Sequence, residues 1–464
     1  MKNRRISITK FLLLGLLIVG LLNAFLHNPR VGYDAGDYAA YIKTLASGRL
    51  PGIEDSGEYF TPPIPFLTPA ILSTLLSLNL EFVLKLAQII NVLLALGSAL
   101  ALVRISDRIT SGDPKARNLS LAFLLTLPVF YKSHAFVRAE PYLLFFILLY
   151  IEQLVMLAKE RVKPLVFSIY SGVLFGVVLL ARQWGILILP GVFLYALLLI
   201  VIQKERRKIL FLSFAFSGVI AFIVSGWFYL SLFHRFGSVT AFNRNPSERF
   251  SLKNKPASFY IGIGENELFS YPVRDSFDNQ VIPILYAETW GDYWQFFVVF
   301  GEDLRTGKAV QADLLFNATD QDPLPAWLQT NRFKIAPYLG RVNLVSLAPS
   351  SIAFISFCWG CLSILKRFPY SRFDLSILYI VFFTAMIIST LFGYLWFLIQ
   401  YPSPDGDTIK ATYILQIFPL IALLIGLFGL SQDRDHPWVY PLGMSIFLLT
   451  FFHNLGAVIS RYLT

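Results

Sequence analysis

Residues 11–27 read FLLLGLLIVGLLNAFLH, and shortly beyond them residues 33–38 read YDAGDY. The first stretch is almost wholly apolar and follows Lys2, Arg4, Arg5 and Lys10, which suits a membrane-spanning helix whose N-terminus is cytoplasmic. The second therefore emerges on the far side carrying two carboxylates, Asp34 and Asp37. A cleavable signal peptide is the other reading of the apolar run. No clear small-residue cleavage site precedes Asp34, so the run reads as an uncleaved anchor.

Composition extends that reading to the whole chain. Of 464 residues, 56% are hydrophobic and 15% charged, with mean hydropathy +0.61, which describes a polytopic membrane protein. The formal charge of +10 comes from short basic clusters between apolar segments, where it orients a membrane chain, so a nucleic-acid partner is not expected. Cys358 and Cys361 form Cys-Trp-Gly-Cys inside an apolar segment, where packing is favoured over redox work.

Eleven spans are expected, at 7–27, 82–104, 119–136, 141–158, 165–181, 184–202, 209–233, 346–365, 375–399, 412–430 and 438–460. The apolar run from Ile64 to Leu78 is close to the length of an interfacial segment. Counting it as a span would move Arg104/Arg108/Lys115/Arg117, Lys159/Arg161/Lys163 and Lys204/Arg206/Arg207/Lys208 outside. Leaving it in the external interface keeps all three clusters inside, together with Lys366/Arg367/Arg372. The expected organisation is a transmembrane module over 1–233 with an external loop at 28–81, an external segment over 234–345, and a second transmembrane module over 346–464. Within the external segment, Glu288 and Asp292 stand four apart among aromatic residues, as on one face of a headgroup-level helix.

From Asp34 onward, Tyr38, Tyr41, Ile42 and Leu45 keep helical spacing, and Gly48 with Pro51 supplies a stop. Asp34 and Asp37 then lie at a helix start, where the plainest role is that of an N-cap. Other charged groups gather at external span mouths: Arg138 and Glu140, Arg182, and Lys410. Singly, each cation reads as a snorkelling anchor. Together, external cations around an external carboxylate suit an anionic lipid phosphate beside a general base.

The pattern Asp34-x-x-x-Tyr38, Leu45-Ala46-Ser47-Gly48-Arg49-Leu50-Pro51 and Pro62-Pro63-Ile64 resembles the first external loop of GT-C membrane glycosyltransferases. Family 39 and 4-amino-4-deoxy-arabinose-transferase-like enzymes are the nearest in appearance. The resemblance continues at Arg138-Ala139-Glu140-Pro141, Ala181-Arg182-Gln183-Trp184-Gly185 and Lys410-Ala411-Thr412-Tyr413, with Pro419 in a late span. It implies an all-α, GT-C-like transmembrane bundle with interfacial helices and a small external domain. It also implies inverting transfer from a polyprenyl-phosphate-linked sugar to a lipid, glycan or protein acceptor, outside a bacterial plasma membrane. Asp34 would be the base and Glu140 would hold sugar or acceptor. Asp37, Tyr38 and Tyr413 would bind substrate, and Arg138, Arg182 and Lys410 would stabilise the departing lipid phosphate. Many relatives read Asp-Glu at the first site where this chain has Asp34-Ala35. A tightly bound metal is thus not indicated, although Asp37, Glu140, Asp405 or Asp407 are carboxylates that would substitute.

His134 is read as a structural donor, and His27, His234, His436 and His453 show no ligand spacing. Asn317-Ala318-Thr319 is an external sequon, and no glycine-rich phosphate loop is visible, which disfavours a nucleotide-sugar donor. The alternative from another class is a transporter or glycolipid flippase, which would show paired halves and mid-bilayer charges; Glu152 is the main candidate for such a charge.

Overall fold

The structure is a computed structural model that describes residues 7–241, 250–274, 276–298, 326–367, 374–401, 406–433 and 435–462, with two short strands at Glu302–Asp303 and Lys308–Ala309. Lys2, Arg4, Arg5, Arg372, Asp405 and the sequon at Asn317 lie outside the described residues. Helices α1 (Ile8–Leu26), α2 (Ala35–Ala46), α3 (Ile64–Leu76), α4 (Leu80–Ile109), α5 (Pro114–Thr126), α6 (Pro128–Ala135), α7 (Glu140–Ala158), α8 (Pro164–Ala181), α9 (Leu189–Ile202) and α10 (Arg207–Phe236) form the first part. Short helices α11 (Ala257–Ile261), α12 (Glu267–Ser270) and α13 (Val281–Trp290) follow. The chain closes with α14 (Ala326–Val345), α15 (Leu347–Arg367), α16 (Leu375–Gln400), α17 (Ile417–Asp433), α18 (Val439–His453) and α19 (Leu455–Val458).

Among the described residues, eight helical stretches are long and apolar enough to cross a membrane. The α5/α6 pair, α17 and α18 take up the other three of the eleven expected positions. The expected span 119–136 is not one continuous helix. Leu127 is extended (φ −84°, ψ 113°) because Pro128 follows it: proline disfavours helical backbone in the preceding residue and itself brings no N–H. The break lets α6 turn to meet α13. Helix α3, with 13 residues, keeps the interfacial length expected of it.

Polar contacts join several helices at their basic ends. At one end Glu152 of α7 pairs with Arg104 (3.0 Å) and Arg108 of α4, Lys115 of α5 meets Asp433 of α17 at 2.7 Å, and Thr9 of α1 bonds Asn118 at 2.7 Å. Glu152, the candidate mid-bilayer charge, is thus a paired group at the basic end. Asp34, Arg138, Arg182 and Lys410 lie at the opposite ends of the same helices. Where helices meet closely, small residues allow it: a Cβ on Gly172 or Gly176 of α8 would come within 2.7 Å or 2.6 Å of Ile220 or Val224 on α10, and Ser171 bonds Ser217 at 2.9 Å. The outer faces stay apolar, as on α10 where Phe211, Phe222 and Ile223 are exposed, which suits contact with lipid.

The described part of the 234–345 segment packs onto the bundle. Trp294 donates its indole N–H to the Ile409 carbonyl (3.0 Å), and the Arg461 amide donates to the Phe297 carbonyl (3.0 Å). Glu288 and Asp292 are wholly buried rather than displayed on a headgroup-level helix, because α13 ends at Trp290 and Lys132 of α6 supplies their counter-charge from below.

Candidate active site

The turn into α2 decides where Asp34 points. Asp34 has left-handed backbone (φ 57°, ψ 22°), and its side chain makes no cap hydrogen bond, so the N-cap role expected from sequence is not what its carboxylate does. Short polar side chains tolerate this conformation best among non-glycine residues. Freed from the helix, the carboxylate lines a cavity of about 590 Å³. Its Oδ2 has no hydrogen-bond partner and lies 3.8 Å from Lys410 Nζ.

Asp37, one turn on, lines the same cavity and also braces the loop. Its Oδ1 accepts the Gly57 amide (2.7 Å), and its carbonyl accepts from the Ser56 hydroxyl (2.9 Å). Tyr38 stacks on Phe66 with ring centres 5.0 Å apart, and Tyr41 donates to the Thr61 carbonyl (2.7 Å). These contacts knit α2, the 56–61 loop and α3 into one wall of the cavity.

That wall presents Glu58, which sequence reading missed. Arg182 ends α8 and turns extended. Its Nη1 donates to Thr61 Oγ1 (2.9 Å) and to Glu58 Oε2 (3.2 Å). Burial pushes the Glu58 carboxyl above the ordinary range; Arg182 pulls it back and Asp34 adds to the rise. No motif marks Glu58, and its partner is 124 residues away, so the external loop's acidic residues were the sole signal available.

Behind the lining, Arg138 and Glu140 form a two-pronged pair (2.8 and 2.9 Å) with side chains 0% exposed, and Arg182 Nε approaches the same carboxylate at 3.4 Å. Glu140 does not line the cavity; it neutralises two guanidinium groups. Tyr413 lies at the centre of the cations, with Arg138, Arg182 and Lys410 each 5.7 Å from its ring. Burial opposes the charge on Lys410, but Asp34 and Tyr413 outweigh it and hold the ammonium above its ordinary pKa. Buried Arg138 Nη1, Arg182 Nε and the Tyr38 hydroxyl also lack hydrogen-bond partners. His134 keeps the structural role read from sequence, its Nδ1 bonded to the Phe130 carbonyl (2.6 Å). Among the described residues no group of three or more His, Cys, Asp or Glu side chains is placed to hold a metal ion.

The cavity has a second character. Away from the charges it is lined by Ile186, Leu187, Trp396 and Phe397, between the 3₁₀ turn Gln183–Ile188 and α16. Ile186 is 47% and Trp396 54% exposed on the bundle's apolar exterior. A charged floor therefore continues into an apolar side opening.

No protein-family model and no curated protein matches the sequence. Solved structures do match. ArnT from Cupriavidus metallidurans bound to undecaprenyl phosphate superposes with a TM-score of 0.51 at 13% identity, over 97% of this chain and 76% of that one. The apo oligosaccharyltransferase of Archaeoglobus fulgidus gives 0.49 at 14% identity, over 97% of this chain and 56% of that one. Apo ArnT from C. metallidurans gives 0.42 at 14% identity, over 92% and 79%. At such identities the first match speaks to architecture alone: this chain carries a mainly helical, polytopic fold similar to that of ArnT from C. metallidurans.

Proposed function

We propose that the protein transfers a sugar from a polyprenyl-phosphate-linked donor to an acceptor hydroxyl at the external face of a bacterial plasma membrane, with inversion. The observation that carries this reading is the two-part cavity, whose floor holds Asp34, Glu58, Arg182 and Lys410 and whose side is lined by the exposed apolar residues Ile186 and Trp396. Such a shape fits a ligand with a phosphate head and an isoprenoid tail. The matched ArnT was solved with undecaprenyl phosphate bound, which agrees with that chemistry.

The chain of events is short. The acceptor hydroxyl oxygen attacks the anomeric carbon from the face opposite the phosphate, and Asp34 takes the hydroxyl proton. The bond from that carbon to the phosphate oxygen breaks, and its electron pair stays on the oxygen. Lys410 and Arg182 stabilise the departing oxyanion, with Arg138 adding positive field from behind and Glu140 holding Arg138 in place. A transporter is less well supported, because Glu152 is engaged by Arg104 and Arg108.

The test is transfer itself. Purified protein incubated with a panel of labelled undecaprenyl-phosphate hexoses and pentoses, and membranes as acceptor, is expected to release undecaprenyl phosphate and label a membrane component. Charge-assisted hydrogen bonds contribute about 1.5–3 kcal/mol, so Arg182→Ala should weaken undecaprenyl phosphate binding about 10- to 150-fold. Absence of both transfer and carrier binding across the panel would refute the reading.

A further inference from the structure

Next to the cavity lies a second buried polar cluster that the transfer chemistry does not use. Lys132 of α6 donates to Glu288 Oε1 (2.5 Å) and to the carbonyls of Glu288 (3.0 Å) and Gly291 (3.2 Å), and lies 3.8 Å from Asp292. Asp292 accepts the amides of Phe296 (3.2 Å), Phe297 (2.7 Å) and Val298 (2.8 Å). One more group enters the cluster from the opposite side: the hydroxyl of Tyr33, which donates to Glu288 Oε1.

Tyr33 immediately precedes Asp34. Its ring is held edge-on by Phe136 (5.6 Å) and Phe296 (4.9 Å), with Arg138 at 4.9 Å and Lys410 at 4.8 Å. The backbone here needs such anchoring. Gly32 (φ 144°) and Asp34 (φ 57°) both adopt positive φ, and no side-chain cap ties Asp34 to α2. A tyrosine has two side-chain torsions. With its ring packed and its hydroxyl fixed, the Cα of residue 33, and hence the direction of the next side chain, is set.

We infer that Tyr33 is a positioning residue for Asp34, tethered by the Glu288–Lys132 pair, so that α13 of the external segment sets the geometry of the general base. This inference rests on the transferase reading above. Misplacing a reacting group by about 1 Å costs on the order of 100-fold in rate. Tyr33→Phe keeps the ring beside both cations and removes the tether. It is expected to lower kcat about 10- to 100-fold, leave the Kd for undecaprenyl phosphate within about threefold, and raise amide exchange over 31–38. Glu288→Gln still accepts the Tyr33 hydroxyl and should retain more of kcat than Glu288→Ala. Tyr33→Phe added to Glu288→Ala should cost nothing further, as for two ends of one interaction.

Wild-type kcat in Tyr33→Phe would overturn the inference even if thermal stability fell. So would a parallel loss of kcat and carrier affinity, which would mean action through Lys410 and Arg138 rather than Asp34. Equal losses in Glu288→Gln and Glu288→Ala would overturn the hydrogen-bond tether. Should the wild-type protein transfer no sugar, the transferase reading fails by itself, and amide exchange over 31–38 still reports whether the tether exists.

Discussion

Replacing Asp34 by Asn separates chemistry from folding more cleanly here than at an ordinary helix start. Were Asp34 an N-cap, losing a good acceptor would cost about 0.5–2 kcal/mol. The structure removes that term, since the side chain makes no cap bond. What remains is backbone: at φ 57° an alanine pays the left-handed penalty of about 1–2 kcal/mol, whereas asparagine tolerates that region. Asp34→Asn should therefore melt close to wild type and Asp34→Ala about 1–2 °C lower, since unfolding a chain of this length carries an entropy of about 1 kcal/mol/K. Both lose the proton acceptor, expected to slow transfer about 100- to 10,000-fold, or about 3–5 kcal/mol of barrier. The assay is single-turnover release of undecaprenyl phosphate from saturating donor, with thermal unfolding in the same detergent. Because Arg182 and Glu58 are untouched, carrier affinity should change far less than rate. Wild-type turnover in Asp34→Asn would refute Asp34 as base, and a stability loss equal to that of Asp34→Ala would refute the backbone account.

Three further outcomes follow from the same geometry. Glu140→Ala strips a counter-ion from fully buried Arg138, so about 3–5 kcal/mol of destabilisation is expected, read as lost expression or a lowered melting point; a stable, merely inactive protein would instead favour a direct substrate role. Glu58 is held above the ordinary carboxylate range by burial, which favours its neutral form; its contribution to stability is present at low pH and lost as pH rises through its folded pKa. Protonation also releases Arg182, so undecaprenyl phosphate should bind more tightly as pH falls through that pKa, and Glu58→Gln should flatten the profile; identical profiles would exclude Glu58. For sidedness, Ser47 and Ser111 are exposed at opposite ends of the bundle, while Ser56 is buried and a poor probe. Ser47→Cys should react with an impermeant thiol reagent in intact cells and Ser111→Cys should not; external labelling of Ser111→Cys would invert the topology.

Much of the architecture is determined by sequence alone, because a bilayer imposes one-dimensional rules. Apolar length marks eight of the eleven expected spans among the described residues, and the basic clusters from Arg104 to Lys208 gather at one end of the bundle, neither of which needs knowledge of packing. The break at Pro128 was legible in principle for the same local reason. The cations Arg138, Arg182 and Lys410 could be named, because each stands beside a span end and a short motif. Their division of labour could not. Whether Glu140 faces a ligand or locks two arginines, and whether Asp34 caps a helix or enters a cavity, depends on side-chain direction after helices far apart in sequence have packed. Glu58 meeting Arg182, and Tyr33 meeting Glu288 across 255 residues, leave no local trace at all. Burial raises the strength of a charge pair and the cost of an unpaired charge, and burial is a property of the tertiary structure.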